Sequence, residues 1–218
     1  MTPPRPQSSG GLDLLLVNSP LKDYDISPRV NDFTLPTLGL GYIATCATAA
    51  GFRIEVIDAE SLGLGLSGLS ARINHLQPRW VGLNLLAPTY RYSVELLRQL
   101  DPEILVMLGG HQAKAMPTEI LSDPRIPRID ALVLGEAETR VPLLLERAES
   151  RRDLPRVYWR EGGNVIMPNV ICRDPLLLAP DINQMPMLDR RFLDNDPYND
   201  GDVLEAAMVA SRGCPFDC

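Results

Sequence analysis

A chain of 218 residues, 45% hydrophobic and 22% charged, has room for one ordinary globular domain plus an extension. Its net charge of −7 and pI near 4.9 argue against a nucleic-acid groove, which needs clustered Lys and Arg, and only two lysines occur. No stretch approaches about 18 consecutive apolar residues, and the N-terminus lacks the apolar centre of a signal peptide, so the expectation is a cytoplasmic protein with neither membrane nor nucleic-acid partners.

Residues 1–11 are rich in Pro, Ser and Gly and predict a disordered leader. The apolar run 12–17, closed by Asn18-Ser19-Pro20, predicts a strand buried on both faces. Similar runs follow at 53–58, 80–86, 104–108 and 131–134. Between them, segments of helical period cover 38–50, 67–76, 92–100 and, more weakly, 117–121, and another at 138–147 follows the last run. This alternation predicts an α/β fold over 12–150: a doubly wound, five-stranded parallel sheet of the flavodoxin or Rossmann-like kind.

The pattern changes after Arg152. Residues 157–160 and 164–167, separated by Glu161-Gly162-Gly163, predict a β-hairpin. The Pro- and Asp-rich stretch that follows reads as a linker, so 151–202 forms a hairpin and linker. An apolar run at 204–210 predicts a strand opening another domain, within 203–218.

Open parallel sheets bind ligands outside the carboxyl ends of their strands, where the strand order reverses. Those ends offer Asn18, Ser19 and Pro20, then Thr89, then Gly109, Gly110 and His111, then Gly135 and Glu136. Asn18, Ser19 and Thr89 carry short polar groups suited to a ligand, and the glycines let backbone amides approach one closely. His111 suits a ligand contact or an idle surface position. Glu136 and Glu138 either orient ligand groups or simply complement a helix dipole. Asp58 stands where dinucleotide folds place a ribose-binding carboxylate, but no Gly-x-Gly-x-x-Gly follows the first strand, which excludes NAD. The four cysteines are too few and too unevenly spaced for a disulfide framework. Cys46 lies in an apolar Ala/Thr helix as a small hydrophobe, and Cys172 has no partner at ligand spacing. Cys214 and Cys218 share a Gly/Pro-broken loop, Ser211-Arg212-Gly213-Cys214-Pro215-Phe216-Asp217-Cys218. Soft thiolates so placed suit an iron–sulfur cluster, while a redox pair or buried thiols are the alternatives.

That loop resembles the start of the radical S-adenosylmethionine (SAM) pattern Cys-x3-Cys-x2-Cys. Upstream, Pro36-Thr37-Leu38-Gly39-Leu40, Gly51 to Asp58, Leu108-Gly109-Gly110-His111 and Asp130 to Glu138 resemble, in order and spacing, the cobalamin-binding domain that precedes some radical SAM barrels. The resemblance implies three cofactors: cobalamin at the strand ends, and a [4Fe–4S] cluster and SAM in the complete enzyme. In that family three cysteines hold three irons and SAM takes the fourth; by this resemblance Cys214 and Cys218 would be the first two ligands, and the third would fall roughly three residues further on. The chain is thus expected to be the N-terminal part of a longer enzyme, inactive alone, whose barrel takes a small-molecule substrate and whose cluster needs an electron donor. Methylation of an unactivated carbon or a phosphorus centre is the reaction the resemblance implies most directly. Cyclisation or rearrangement, a non-catalytic cobalamin-binding module and a cofactor-free flavodoxin-like regulatory domain are the alternatives. The family's usual departure is present too: the Asp-x-His-x-x-Gly motif that ligates cobalt from below in other cobalamin proteins is absent, and neither His75 nor His111 sits in one.

Overall fold

The computed structural model describes residues 11–29, 36–193, 206–209 and 211. Five parallel strands form where the apolar runs predict them: β1 (Leu14–Asn18), β2 (Ile54–Asp58), β3 (Trp80–Asn84), β4 (Leu105–Gly109) and β5 (Ala131–Val133). Their spatial order is β2-β1-β3-β4-β5, so the chain reverses direction across the sheet between β1 and β3. In a doubly wound fold this is the switch point, where connections leave on opposite faces and a crevice opens.

Strand geometry divides the core into two layers, because alternate side chains point to opposite faces. From β1, Leu15 and Val17 join a cluster with Leu69, Ile73, Leu96 and Ile120, beneath α3 (Leu66–Leu76), α4 (Tyr90–Leu97) and α6 (Pro117–Ser122). Leu14 and Leu16 face the other way. They pack with Ala44, Trp80, Met107 and Leu144 beneath α1 (Leu38–Ala49) and α7 (Arg140–Glu146). Two one-turn helices, α2 (Ala59–Leu62) and α5 (His111–Ala115), follow β2 and β4 directly. They are too short to leave a readable period, and the sequence predicts neither.

The hairpin is present as β6 (Val157–Glu161) and β7 (Asn164–Ile166), turned by Gly162 and Gly163, both at positive φ. It is not detached from the sheet. β6 pairs antiparallel with β5 and lengthens the sheet to seven strands, covering an edge that would otherwise offer unpaired backbone groups. Trp159, on β6, is almost wholly buried, with Arg151 and Arg152 over its ring. The segment after the hairpin folds back onto α1. Leu188 and Leu193 lie so close to Gly41 that a Cβ there would come within 2.9 and 3.1 Å of them, and the Asp189 amide donates to Thr45 Oγ1 at 3.0 Å.

The stretch before the terminal cysteines is described only in part. Residues 206–209, the described part of the expected strand at 204–210, pair with no strand among the described residues, and Met208 is 81% exposed. The leader at 1–10 and both Cys214 and Cys218 lie outside the described residues.

Candidate functional site

The carboxyl ends of the parallel strands are of two kinds. At the ends of β1 and β2, polar side chains bond to one another. Asn18 Nδ2 donates to Asp58 Oδ1 at 2.8 Å, and the same oxygen accepts from the Ser61 amide at 3.2 Å, capping α2. The loop after Pro20 is tied down in the same way: Glu60 accepts from the Leu21 amide at 2.6 Å and from Tyr24 Oη at 2.7 Å. After β3, Thr89 Oγ1 closes a turn on the amide and carbonyl of Leu86, both at 3.3 Å. The Ser93 hydroxyl lies 2.8 Å from Ser19 Oγ and 3.0 Å from the Thr89 carbonyl. With one proton per hydroxyl, Ser93 donates to the carbonyl and accepts from Ser19. Ser19, Thr89 and Ser93 are all buried.

At the ends of β4 and β5 the chain turns on glycine. Gly110 has φ 96°, and a Cβ there would lie 2.4 Å from Asn84 Oδ1, 2.7 Å from the Leu85 carbonyl oxygen and 2.9 Å from the Leu85 nitrogen. No other residue fits, on both backbone and steric grounds. The turn is locked by Leu85 N–H donating to the Gly109 carbonyl at 2.8 Å and Gln112 N–H donating to the Leu85 carbonyl at 3.0 Å. Gly135, at φ 84°, opens the second turn, with empty space where a side chain would be.

Between these turns and α1 lies a cleft of about 380 Å³. Its floor is the sheet face bearing Leu16, Gly82, Met107 and Val133, and its walls include Leu40 and Ile43 of α1 and Val141 of α7. Gly82 keeps the floor low, since a Cβ there would come within 2.7 Å of Leu16 Cδ2. Polar groups gather at the mouth, Asn84, His111 and Lys114 from the β3 and β4 side and Glu136 from the β5 side, while Glu138 lines the cleft from a buried position.

Of the residues singled out from sequence, Gly109, Gly110, His111, Gly135 and Glu136 line this cleft together. Asn18, Ser19, Pro20 and Thr89 are not among its lining residues, and the polar side chains of Asn18, Ser19 and Thr89 are engaged within the protein. Sequence reasoning missed Asn84, Gly82 and Lys114. Asn84 carried a signal, as the single polar residue inside the apolar run 80–86 and the last residue of β3. It also missed Arg140, a fully buried cation whose Nη1 and Nη2 reach the carbonyls of Pro155 (2.9 Å) and Leu134 (2.8 Å) and also bond to Glu136 and Arg156. Burial pushes its guanidinium down to about 10, so it stays protonated at neutral pH and holds the Gly135 turn by charge-assisted bonds.

An open sheet with a switch-point cleft roofed by two helices defines a ligand-binding α/β domain. Residues 30–145 match the B12-binding domain family, and the chain belongs to that family. It is 26% identical over 196 residues to an uncharacterized methyltransferase of Pyrococcus horikoshii and 22% identical over 231 residues to cytidylyl-2-hydroxyethylphosphonate methyltransferase of Streptomyces wedmorensis. These alignments cover 87% and 83% of this chain but 41% and 42% of the relatives, so the chain spans about two-fifths of their length. An anaerobic magnesium-protoporphyrin IX monomethyl ester cyclase of Synechocystis is 26% identical over 218 residues, 94% of this chain and 41% of that protein. The fold is also that of two solved cobalamin-related structures. The radical SAM methyltransferase TsrM from Kitasatospora setae superposes with a TM-score of 0.53 at 19% identity, over 70% of this chain and 29% of that one. The cobalamin-dependent radical enzyme OxsB gives 0.56 at 15% identity, over 73% and 22%.

The cleft fits the group its family is named for. Gly110 and Gly82 mark places where a side chain would intrude on a turn or on the floor, and an apolar depth under a polar mouth suits an amphipathic ligand.

Proposed function

We propose that this chain holds a corrinoid at the carboxyl ends of β3, β4 and β5, as the N-terminal unit of a cobalamin-dependent radical SAM methyltransferase. The observation that carries the reading is the cleft itself: apolar in depth, polar at the mouth and bounded by two glycine turns. At about 380 Å³ it is large enough for the nucleotide base of a corrinoid and far too small for the macrocycle. The ring would then be held at the mouth by the backbone of Gly109, Gly110 and Gly135, with His111 and Glu136 beside its amide-bearing rim. Bound there, the cobalt supplies a carrier for a methyl group.

The chain's own residues orient and shelter the ligand. Leu16, Met107, Val133 and Val141 exclude water from the base, Gly82 leaves it room, and Arg140 fixes the wall that carries Glu136. In this reading 12–150 is the corrinoid-holding unit, 151–202 connects it onward, and Cys214 and Cys218 supply cluster ligands in the barrel that follows. A small-molecule substrate, SAM and an electron donor belong to that barrel.

Titration with hydroxocobalamin tests the reading. A shifted visible spectrum and corrinoid retained through desalting are expected, and an unchanged spectrum with none retained refutes it. The similarity to the Synechocystis cyclase favours a second reading of the whole enzyme, ring formation in place of methylation. With the full enzyme and SAM, methylated product together with S-adenosylhomocysteine supports the first reading. A product without added methyl, formed alongside 5′-deoxyadenosine alone, supports the second.

A further inference from the structure

Charge is unevenly distributed around the mouth of the cleft. Lys114 and His111 stand on the β4 side, three positions apart on the single turn of α5 and so on one face of it, while Glu136 and the buried Glu138 stand on the β5 side. Lys114 is exposed, and none of the ion pairs among the described residues includes it. It is one of two lysines in the chain, the other being Lys22, and the one that lines the cleft. Its position is fixed by backbone: Lys114 N–H donates to the Gly110 carbonyl at 3.1 Å, and the Gly110 turn is itself locked to β3.

A corrinoid held with its base in the depth and its ring across the mouth must pass the link between them over the rim. That link carries a phosphodiester, the molecule's one anionic group, whereas the periphery of the ring carries neutral amides. Carboxylates on the β5 side disfavour a phosphate there. Lys114 offers the opposite, a mobile point charge with three donors.

We propose that Lys114 binds the phosphodiester of the nucleotide loop, and so selects complete, nucleotide-bearing corrinoids over those that lack the nucleotide. This rests on the corrinoid reading given above. The test is to measure the affinities of hydroxocobalamin and of aquacobinamide, which lacks nucleotide and phosphate, for wild type, Lys114→Met and Lys114→Arg at low and raised salt. Lys114→Met is expected to weaken cobalamin roughly tenfold and cobinamide less than about twofold, the scale of one solvent-exposed charge-assisted contact. Lys114→Arg should restore most of the loss, and raised salt should weaken cobalamin more in wild type than in Lys114→Met. Equal weakening of both corrinoids, or an unchanged cobalamin affinity in Lys114→Met, overturns the proposal while leaving the corrinoid reading intact. Binding of neither corrinoid by wild type overturns both. Because Lys114 is exposed, thermal melts of the variants should match wild type, which separates lost contact from lost fold.

Discussion

The two halves of the sheet's carboxyl edge solve the same problem in opposite ways. At β1 and β2, Asn18, Asp58, Ser61 and Glu60 satisfy the strand ends with side chains, and at the β3 exit Ser19, Thr89 and Ser93 do likewise. Once closed on one another, these groups have little left to give a ligand. At β4 and β5 the backbone turns without side chains and is held from behind, by Leu85 at Gly110 and by Arg140 at Gly135. Polar residues at a strand end thus mark a site only where nothing nearby can use them first. Glycine there marks one more reliably, because its bonds are made on the far side of the turn.

Gly110→Ala should break the open half most severely. The new methyl meets backbone at 2.7 Å and must adopt φ 96°, so a loss of more than about 3 kcal/mol is expected, read as a fall in the urea midpoint or as insoluble protein. Gly109→Ala is the control. Its Cβ comes no closer than 3.4 Å to the Val133 carbonyl, and a loss within about 1 kcal/mol is expected. Equal losses in the two variants would show that the turn is not the rigid part of the mouth.

Arg140→Met follows in size. It removes a buried cation from four carbonyls and should cost about 3 kcal/mol in chemical denaturation. Corrinoid affinity should fall with it even at temperatures where the variant remains folded, since the Gly135 turn loses its anchor.

The architecture was legible in the sequence for a physical reason. Strands buried on both faces read as nearly continuous apolar runs, so 12–17, 80–86 and 104–108 stand out, and helices covering them carry a 3.6 period. What could not be read were features set by tertiary partners. Nothing local distinguishes Asn18, which is consumed by Asp58 forty positions away, from Asn84, which lines the cleft. Arg140 looks like any other arginine of a first helical turn until the Pro155–Arg156 segment folds over it. The hairpin was visible from Gly162-Gly163, but its pairing with β5 depended on that strand having a free edge.

In the self-satisfied half the effects should be smaller and confined to stability. Asn18→Ala removes the buried bond to Asp58 and should cost about 1–2 kcal/mol while leaving corrinoid affinity within twofold of wild type. An affinity loss larger than that would place the β1 end in the site. Tyr90, just beyond Thr89, donates to Asp123 at 2.7 Å, and Arg125 holds the same carboxylate at 2.7 Å. The bonds from Arg125, more than any other influence, hold Asp123 well below its ordinary 3.8, so its contribution is full above that value and fades as pH falls through the lower folded one. Burial and then the Asp123 carboxylate push Tyr90 up to about 12 from 10.0; its contribution is present below pH 10.0 and is lost as pH rises through about 12. Tyr90→Phe should therefore cost about 1 kcal/mol at neutral pH, and its deficit against wild type should shrink between those two values.

The smallest effect on the fold should come from His111→Ala. The imidazole is exposed at the mouth, so the stability change should stay within about 0.5 kcal/mol. Its value lies in what it says about the metal. An imidazole that ligates cobalt gives bound hydroxocobalamin a spectrum of its own, whereas one that only borders the ring adds contact area and a hydrogen bond. The chain lacks the Asp-x-His-x-x-Gly motif, and His111 stands beside the Gly110 turn, whose geometry is set by β3 and not by a carboxylate partner that would orient the ring as a ligand. The expected result is a fewfold loss of affinity with the visible spectrum of the bound corrinoid unchanged. A spectral change on replacing His111 would mean that the open half of the edge supplies a metal ligand as well as a cradle.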